Sequence, residues 1–153
     1  MNVDCQWQEK MKFVASIKKP GTDELIKLNM DAKSPIGDSS AFTPKELLLA
    51  AICGCTSMDV ASLMRKHKQN MIELVVSAQG NTSEPGIHPA TFKNIQLTFK
   101  VKGDVDSSKL IEAVTLSQTK YCGVSAMVSK AVPIQFSVEL NETKIYEGNA
   151  HFE

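Results

Sequence analysis

Hydrophobic and polar residues alternate in the first thirty positions of the chain. Segments 12–17 and 24–30 both repeat with a period of two residues, which is typical of half-buried strands. Between them, residues 18–23 contain a Pro-Gly pair of the kind found in tight turns. The pattern predicts a β-hairpin, followed by a loop over residues 31–42, which are rich in Ser, Gly, Asp and Pro.

The hydrophobic pattern changes at residue 43. Thr43 suits a helix N-cap, Pro44 the first helical position, and Glu46 the reciprocal position of a capping box. The residues from Leu47 to about Lys68 are apolar nearly all round for three turns. We therefore expect a long central helix that needs cover on more than one side, and a second copy of the chain in an intertwined homodimer would supply it.

Three further strands are predicted at 72–78, 92–101 and 133–140, and the last two alternate strictly. A helix capped by Asp106 is expected to run to about Lys120, followed by a short helix over 123–130. A short edge strand is expected after Asn141. This order predicts a single α+β domain over residues 1–153, with an antiparallel sheet packed around the long helix rather than repeated βαβ units.

The net charge and the length of the longest apolar segment limit the classes of partner that the sequence favours. The 153 residues include 17 basic and 17 acidic side chains, so the formal net charge is zero and neither nucleic acid nor an anionic membrane is favoured as a partner. The first residues do not resemble a signal peptide, and the longest low-charge run, 47–58, is shorter than the roughly 20 residues that span a bilayer. We expect a cytoplasmic protein whose four cysteines are thiols.

Cys53 and Cys55 are the first candidates for a metal site. Two residues of helix turn through about 200°, so these thiols face opposite ways. Neither has a His or Cys at zinc-finger spacing. Joint metal binding by this pair is not expected, and no metal or cofactor is predicted. Cys53 is interpreted as a small buried hydrophobe and Cys5 as incidental.

Cys55 and Cys122 differ in their predicted surroundings. Asp59 lies one helical turn after Cys55, and a nearby carboxylate raises a thiol pKa. Cys122 directly precedes a short helix, whose N-terminus favours a thiolate, and Ser125 could donate a hydrogen bond to it. Local physics alone therefore makes Cys122 the better-activated thiol.

Two segments containing these cysteines resemble the signatures of a known family. The first is Thr43-Pro44-x-Glu46-Leu47-Leu48-Leu49-Ala50-Ala51-x-x-Gly54-Cys55-Thr56-x-Met58-Asp59-Val60, and the second is Lys120-Tyr121-Cys122-x-Val124-Ser125 with Met127 and Lys130-Ala131-Val132 after it. Both are similar to motifs of the OsmC/Ohr family, and most similar to its YhfA-type subgroup.

The resemblance implies an OsmC-like fold and an intertwined homodimer with sites at the subunit interface. It also implies thiol-dependent reduction of organic hydroperoxides. Cys55 would attack the peroxide, Cys122 would resolve the product as a disulfide, and a dithiol would reduce that disulfide again. Glu46, Asp59 and Ser125 would support the two cysteines. Small hydroperoxides and dithiols are thus the expected partners.

Two positions depart from the family pattern. Well-studied members carry an acidic residue directly after the helix-start proline, where this chain has Lys45, and an arginine in the N-terminal hairpin. The only arginine here is Arg65, and a lysine of the hairpin is not an equivalent planar clamp. Two other functions stay open: a non-catalytic protein of this fold that binds a small hydrophobic or thiol ligand at the dimer interface, and a metal–thiolate site, which needs two close thiols and a third ligand.

Overall fold

Seven β-strands and three α-helices make up the protein in a computed structural model that describes residues 1–153. The chain forms two compact units, residues 1–48 and residues 49–153. Each unit has its own sheet, and the long helix begins in the first unit and continues in the second.

The first unit contains a three-stranded antiparallel sheet of β1 (Asp4–Glu9), β2 (Lys12–Lys18) and β3 (Leu25–Met30). Strands β2 and β3 are the predicted hairpin, which is confirmed. Strand β1 was not expected from the sequence. All six of its side chains are exposed, and only two of them, Cys5 and Trp7, are apolar, so its hydrophobic pattern is weak.

The loop over residues 31–42 is organised by one buried carboxylate. Asp31 is 2% exposed and accepts hydrogen bonds from the backbone N–H groups of Ala32, Asp38 and Ser40 and from the Ser40 hydroxyl. These bonds replace the backbone pairing that a loop lacks, and they lead the chain to the start of the long helix.

Helix α1 (Pro44–Lys66) begins with the predicted capping box. The Thr43 N–H donates to Glu46 Oε2 over 2.8 Å, and the Glu46 N–H donates to Thr43 Oγ1 over 3.3 Å. The helix ends where Lys68 adopts a left-handed conformation with φ of 53°. There the Lys68 N–H donates to the Arg65 carbonyl and the Gln69 N–H to the Met64 carbonyl, which is a Schellman motif.

The second unit contains a four-stranded sheet in the order β4 (Asn70–Thr82), β5 (Phe92–Asp104), β6 (Ile134–Leu140) and β7 (Thr143–Asn149). The predicted strands and the edge strand after Asn141 are confirmed. The α+β class is confirmed as well, and the sheets are antiparallel except at β5 and β6, which run parallel. A parallel pair needs a crossover connection, which the helices between these strands provide.

The crossover consists of α2 (Ser107–Leu116), a π-helical turn (Ser117–Tyr121) and α3 (Gly123–Val128). Asp106 caps α2 as predicted, accepting from the N–H groups of Ser108 and Lys109 at 2.8 and 3.2 Å. The single helix expected as far as Lys120 instead changes to π geometry after Leu116. Such π turns are frequent at functional sites.

One narrow stripe of α1 enters the core of the second unit. It repeats every four residues, and its members are Ile52, Thr56, Val60 and Met64. The core around it comes from the alternating side chains of β5 and β6 and the inner face of α2: Ile95, Leu97, Phe99, Val101, Leu110, Ala113, Val114, Ile134, Phe136 and Val138.

Much of the remaining surface of α1 is uncovered and includes exposed apolar side chains. Only 22% of its most apolar stretch is buried, and Met58 is 75% exposed. With 23 residues, α1 is longer than the low-charge run considered in the sequence, and it is long and apolar enough to cross a membrane. Core helices of soluble proteins share that property.

We expect Lys68→Gly to stabilise the protein by about 0.5–1 kcal/mol, because glycine adopts the left-handed conformation without the steric cost of a Cβ atom. Lys66→Gly, two residues earlier, is the matched control: it places glycine in regular helix and should destabilise by up to about 1 kcal/mol. Urea unfolding of both variants checks the signs, and an equal loss in both would contradict the assigned helix end.

Candidate functional site

Cys55 and Asp59 lie one turn apart on α1, beside the buried stripe. Cys55 is about 60° from Ile52 around the helix axis, and Asp59 continues the same row. Both side chains are half-buried. Cys53 lies on the opposite side of the stripe, as the spacing predicts. The packing of the stripe thus fixes the direction in which Cys55 and Asp59 project.

Cys122 occupies the N-cap of α3 and is 0% exposed. Its backbone N–H donates to the Ser117 carbonyl over 3.0 Å, which closes the π turn. The Ser125 N–H donates to Cys122 Sγ over 3.3 Å. The predicted position of Cys122 at a helix N-terminus, with Ser125 as a donor, is therefore found in the structure.

The two cysteines and the aspartate converge. Cys55 Sγ, Cys122 Sγ and a carboxylate oxygen of Asp59 all lie within 4.8 Å of one another. Asp59 Oδ2 accepts a hydrogen bond from Ser117 Oγ over 2.9 Å. The site therefore joins side chains from α1, the π turn and α3, although α1 is separated from the other two by strands β4 and β5 in the chain.

Burial decides the charge state of Cys122. Desolvation, followed by the neighbouring Cys55 sulfur, raises the pKa of Cys122 to about 11, although the hydroxyl and N–H of Ser125 act in the opposite direction. The expectation that the helix N-terminus activates the Cys122 thiol was wrong. One N-cap hydrogen bond and a helix of six residues do not offset the loss of water around a thiolate.

Two buried polar groups in the crossover were missed in the sequence. Ser117 and Gln118 are both 0% exposed, and Ser117 orients Asp59. The sequence contained an indication of this. Ser117 continues the apolar row of Leu110 and Val114 along α2, and a serine at such a buried position is unusual. The Gln118 amide oxygen and the Ser125 hydroxyl are buried without a regular hydrogen-bond partner.

The remaining candidates have other roles. Glu46 lies in the capping box and pairs with Lys33 at 2.9 Å, and its backbone bond from Thr43 and then Lys33 lower the pKa of its carboxyl. Cys53 is half-buried and desolvation raises the pKa of its thiol, whereas Cys5 is exposed. Cys53 is therefore less buried than the small buried hydrophobe that the sequence predicts.

This geometry defines an α+β protein with a dithiol site. The sequence profile described as "OsmC-like protein" matches residues 37–137, which is more than half of the chain and includes both cysteines. The chain therefore belongs to the OsmC family, as its two motifs predicted.

Individual relatives agree with this assignment. Protein YhfA of Escherichia coli strain K12 is 32% identical over 141 residues, covering 92% of this chain and 98% of its own. A hypothetical protein from Aquifex aeolicus VF5 is 25% identical with a TM-score of 0.77, covering 92% and 95% of the two chains. An organic hydroperoxide resistance protein from Elizabethkingia anophelis is 13% identical with a TM-score of 0.66, covering 92% and 97%, and shares the fold.

Because the pKa of Cys122 is raised in the folded protein, the free energy of unfolding should decrease at alkaline pH. Below about pH 8.5 the thiol is protonated in both folded and unfolded chains, and above it the unfolded chain loses the proton first. Folding stability is therefore lost as pH rises toward 11. Between pH 7 and 10 the reduced protein should lose about 1–2 kcal/mol more than Cys122→Ala does. Urea unfolding at both pH values measures this, and parallel losses would contradict it.

Proposed function

We propose that this protein is a thiol-dependent peroxidase that reduces organic hydroperoxides through Cys55 and Cys122. The observation that carries the proposal is the approach of the two sulfur atoms to within 4.8 Å. Formation of a disulfide from this distance requires movement of the side chains until the sulfurs are about 2.05 Å apart.

The different burial of the two cysteines determines which of them attacks the hydroperoxide and which resolves the product. Cys55 is half-buried and reachable by a small molecule, whereas Cys122 is buried and held protonated. The Cys55 thiolate attacks one oxygen of the hydroperoxide, so that an S–O bond forms and the O–O bond breaks, which leaves a sulfenic acid and an alcohol. Cys122 then attacks that sulfur, a disulfide forms and water leaves.

Asp59 is positioned to move the proton in the first step. Its carboxylate lies within 4.8 Å of the Cys55 sulfur, and its other contact, the Ser117 hydroxyl, fixes its orientation. Asp59 accepts the Cys55 proton, which gives the attacking thiolate, and returns that proton to the departing alkoxide. This proton transfer supplies a route to the thiolate in a chain that lacks an arginine in its N-terminal hairpin.

Two partners complete the cycle. The oxidant is a small organic hydroperoxide, a substrate class supported by the shared fold of the Elizabethkingia neighbour, which is named for hydroperoxide resistance. The reductant is a dithiol, which returns two electrons to the Cys55–Cys122 disulfide by thiol exchange. We place this chemistry in the reducing cytoplasm, where resting cysteines are thiols, as part of oxidative-stress defence.

One equivalent of an alkyl hydroperoxide should convert the reduced protein to a Cys55–Cys122 disulfide and leave two free thiols. Cys55→Ser should consume no oxidant, whereas Cys122→Ser should stop at a sulfenic acid on Cys55 that dimedone traps. Thiol titration and peptide mass mapping measure these products.

Cys53→Ser is the matched control, since it removes a thiol two residues away on the other side of α1, and it should behave as wild type. If wild-type protein keeps four free thiols after treatment, the peroxidase proposal fails. The alternative of a non-catalytic ligand-binding protein then becomes the better account.

We also propose that the functional protein is a homodimer. Support comes from α1, whose most apolar stretch is 22% buried within one chain and whose Met58 is 75% exposed. An apolar surface of this length is unfavourable in water, and a second copy of the chain would cover it.

The protein should sediment at about twice its monomer mass of 16.7 kDa. Met58→Asp should weaken the dimer at least about tenfold, because burying an unpaired carboxylate costs several kcal/mol. Met58→Leu retains the apolar contact and should leave the dimer intact. Sedimentation equilibrium distinguishes the variants, and a wild-type monomer at micromolar concentration would refute the dimer.

A further inference from the structure

The same three side chains that converge at Cys55 meet the requirements of a metal site. Two thiols and a carboxylate place their ligand atoms within 4.8 Å of one another. In a tetrahedral zinc site with Zn–S bonds of about 2.3 Å, neighbouring ligand atoms are about 3.8 Å apart. Rotations of the side chains that bring these atoms about 1 Å closer would therefore complete the geometry.

Hydrogen-bond donors next to Asp59 and Cys122 favour the forms of these side chains that bind a metal ion. The Ser117 hydroxyl donates to Asp59 Oδ2, which orients the carboxylate and leaves its other oxygen available. The Ser125 N–H donates to Cys122 Sγ, and the Ser125 hydroxyl is 0% exposed without a regular partner. A thiolate at Cys122 would accept from that hydroxyl. Hydrogen bonds of this kind, made to the ligands from outside, are typical of metal centres.

Metal binding would deprotonate both thiols, and the bound cation would then offset the charge of the cluster. Two thiolates and a carboxylate would carry three negative charges within a few ångströms. The ion pairs within residues 49–153 involve Lys100, Lys102, Lys109 and Lys144, and none of them reaches Asp59. A divalent metal ion is therefore the natural counter-charge for this cluster.

We propose that the reduced protein binds one Zn²⁺ ion per chain through Cys55, Asp59 and Cys122, and that a Cys55–Cys122 disulfide abolishes the site. Thiolate ligands select zinc over magnesium or calcium, which prefer oxygen. Because Cys55 and Asp59 are only half-buried, the fourth position is open to water or a small ligand. The proposal of a zinc site concerns metal binding alone and does not depend on the proposed peroxidase activity.

Zinc titration of the full-length reduced protein against a chromogenic chelator tests the proposal. We expect one equivalent per chain, with tighter binding as pH rises because Cys122 must release its proton. Cys55→Ser and Cys122→Ser should each weaken binding at least about 100-fold, and Asp59→Asn about 10-fold. Cys53→Ser is the matched control and should bind as wild type. Protein carrying the Cys55–Cys122 disulfide should bind none.

If a variant folds poorly, the absorption spectrum of the protein loaded with Co²⁺ provides a second test. Co²⁺ bound by two thiolates gives a near-ultraviolet sulfur-to-metal band, and this band should halve in any folded protein that has lost one ligand cysteine. No zinc uptake by the reduced wild type would overturn the proposal, as would uptake that depends on Cys53 or Cys5. Failure of zinc binding would leave hydroperoxide-driven disulfide formation intact, so the two proposals fail separately.

Discussion

The packing of one stripe of α1 determines where the chemistry of this protein is located. Ile52, Thr56, Val60 and Met64 repeat every four residues and enter the core of the second unit. Once that stripe is buried, the rotation of the helix is fixed, and Cys55 and Asp59 must project from one side of it. The four residues of the stripe are not among the converging side chains, but they hold Cys55 and Asp59 at the edge of the core.

Burial and hydrogen bonding oppose each other at Cys122. Its N-cap position and Ser125 favour a thiolate, while complete burial and the nearby Cys55 sulfur favour the thiol more strongly. Burial therefore favours the protonated form of Cys122. The same balance explains why the two cysteines, though close together, are not interchangeable.

Local sequence patterns were sufficient to predict most of the helices and strands. The capping box at Thr43, the hairpin, the Asp106 cap and the alternation in β5 all rest on contacts within a few residues, and all were predictable. Strand β1 was missed because only two of its six residues, Cys5 and Trp7, are apolar. The parallel pairing of β5 and β6 was missed because alternation along a strand does not reveal the direction of its neighbour.

The site itself was predictable only in part. The motifs identified Cys55 and Cys122, but the contact of Asp59 with Ser117 joins residues 58 positions apart. The balance between dipole and desolvation at Cys122 likewise depends on tertiary burial. The most direct test of the account is mild diamide oxidation of the folded protein, followed by non-reducing peptide mass mapping. We expect a single Cys55–Cys122 disulfide with Cys5 and Cys53 free, whereas a disulfide through Cys53, or none, would contradict the proposed pairing.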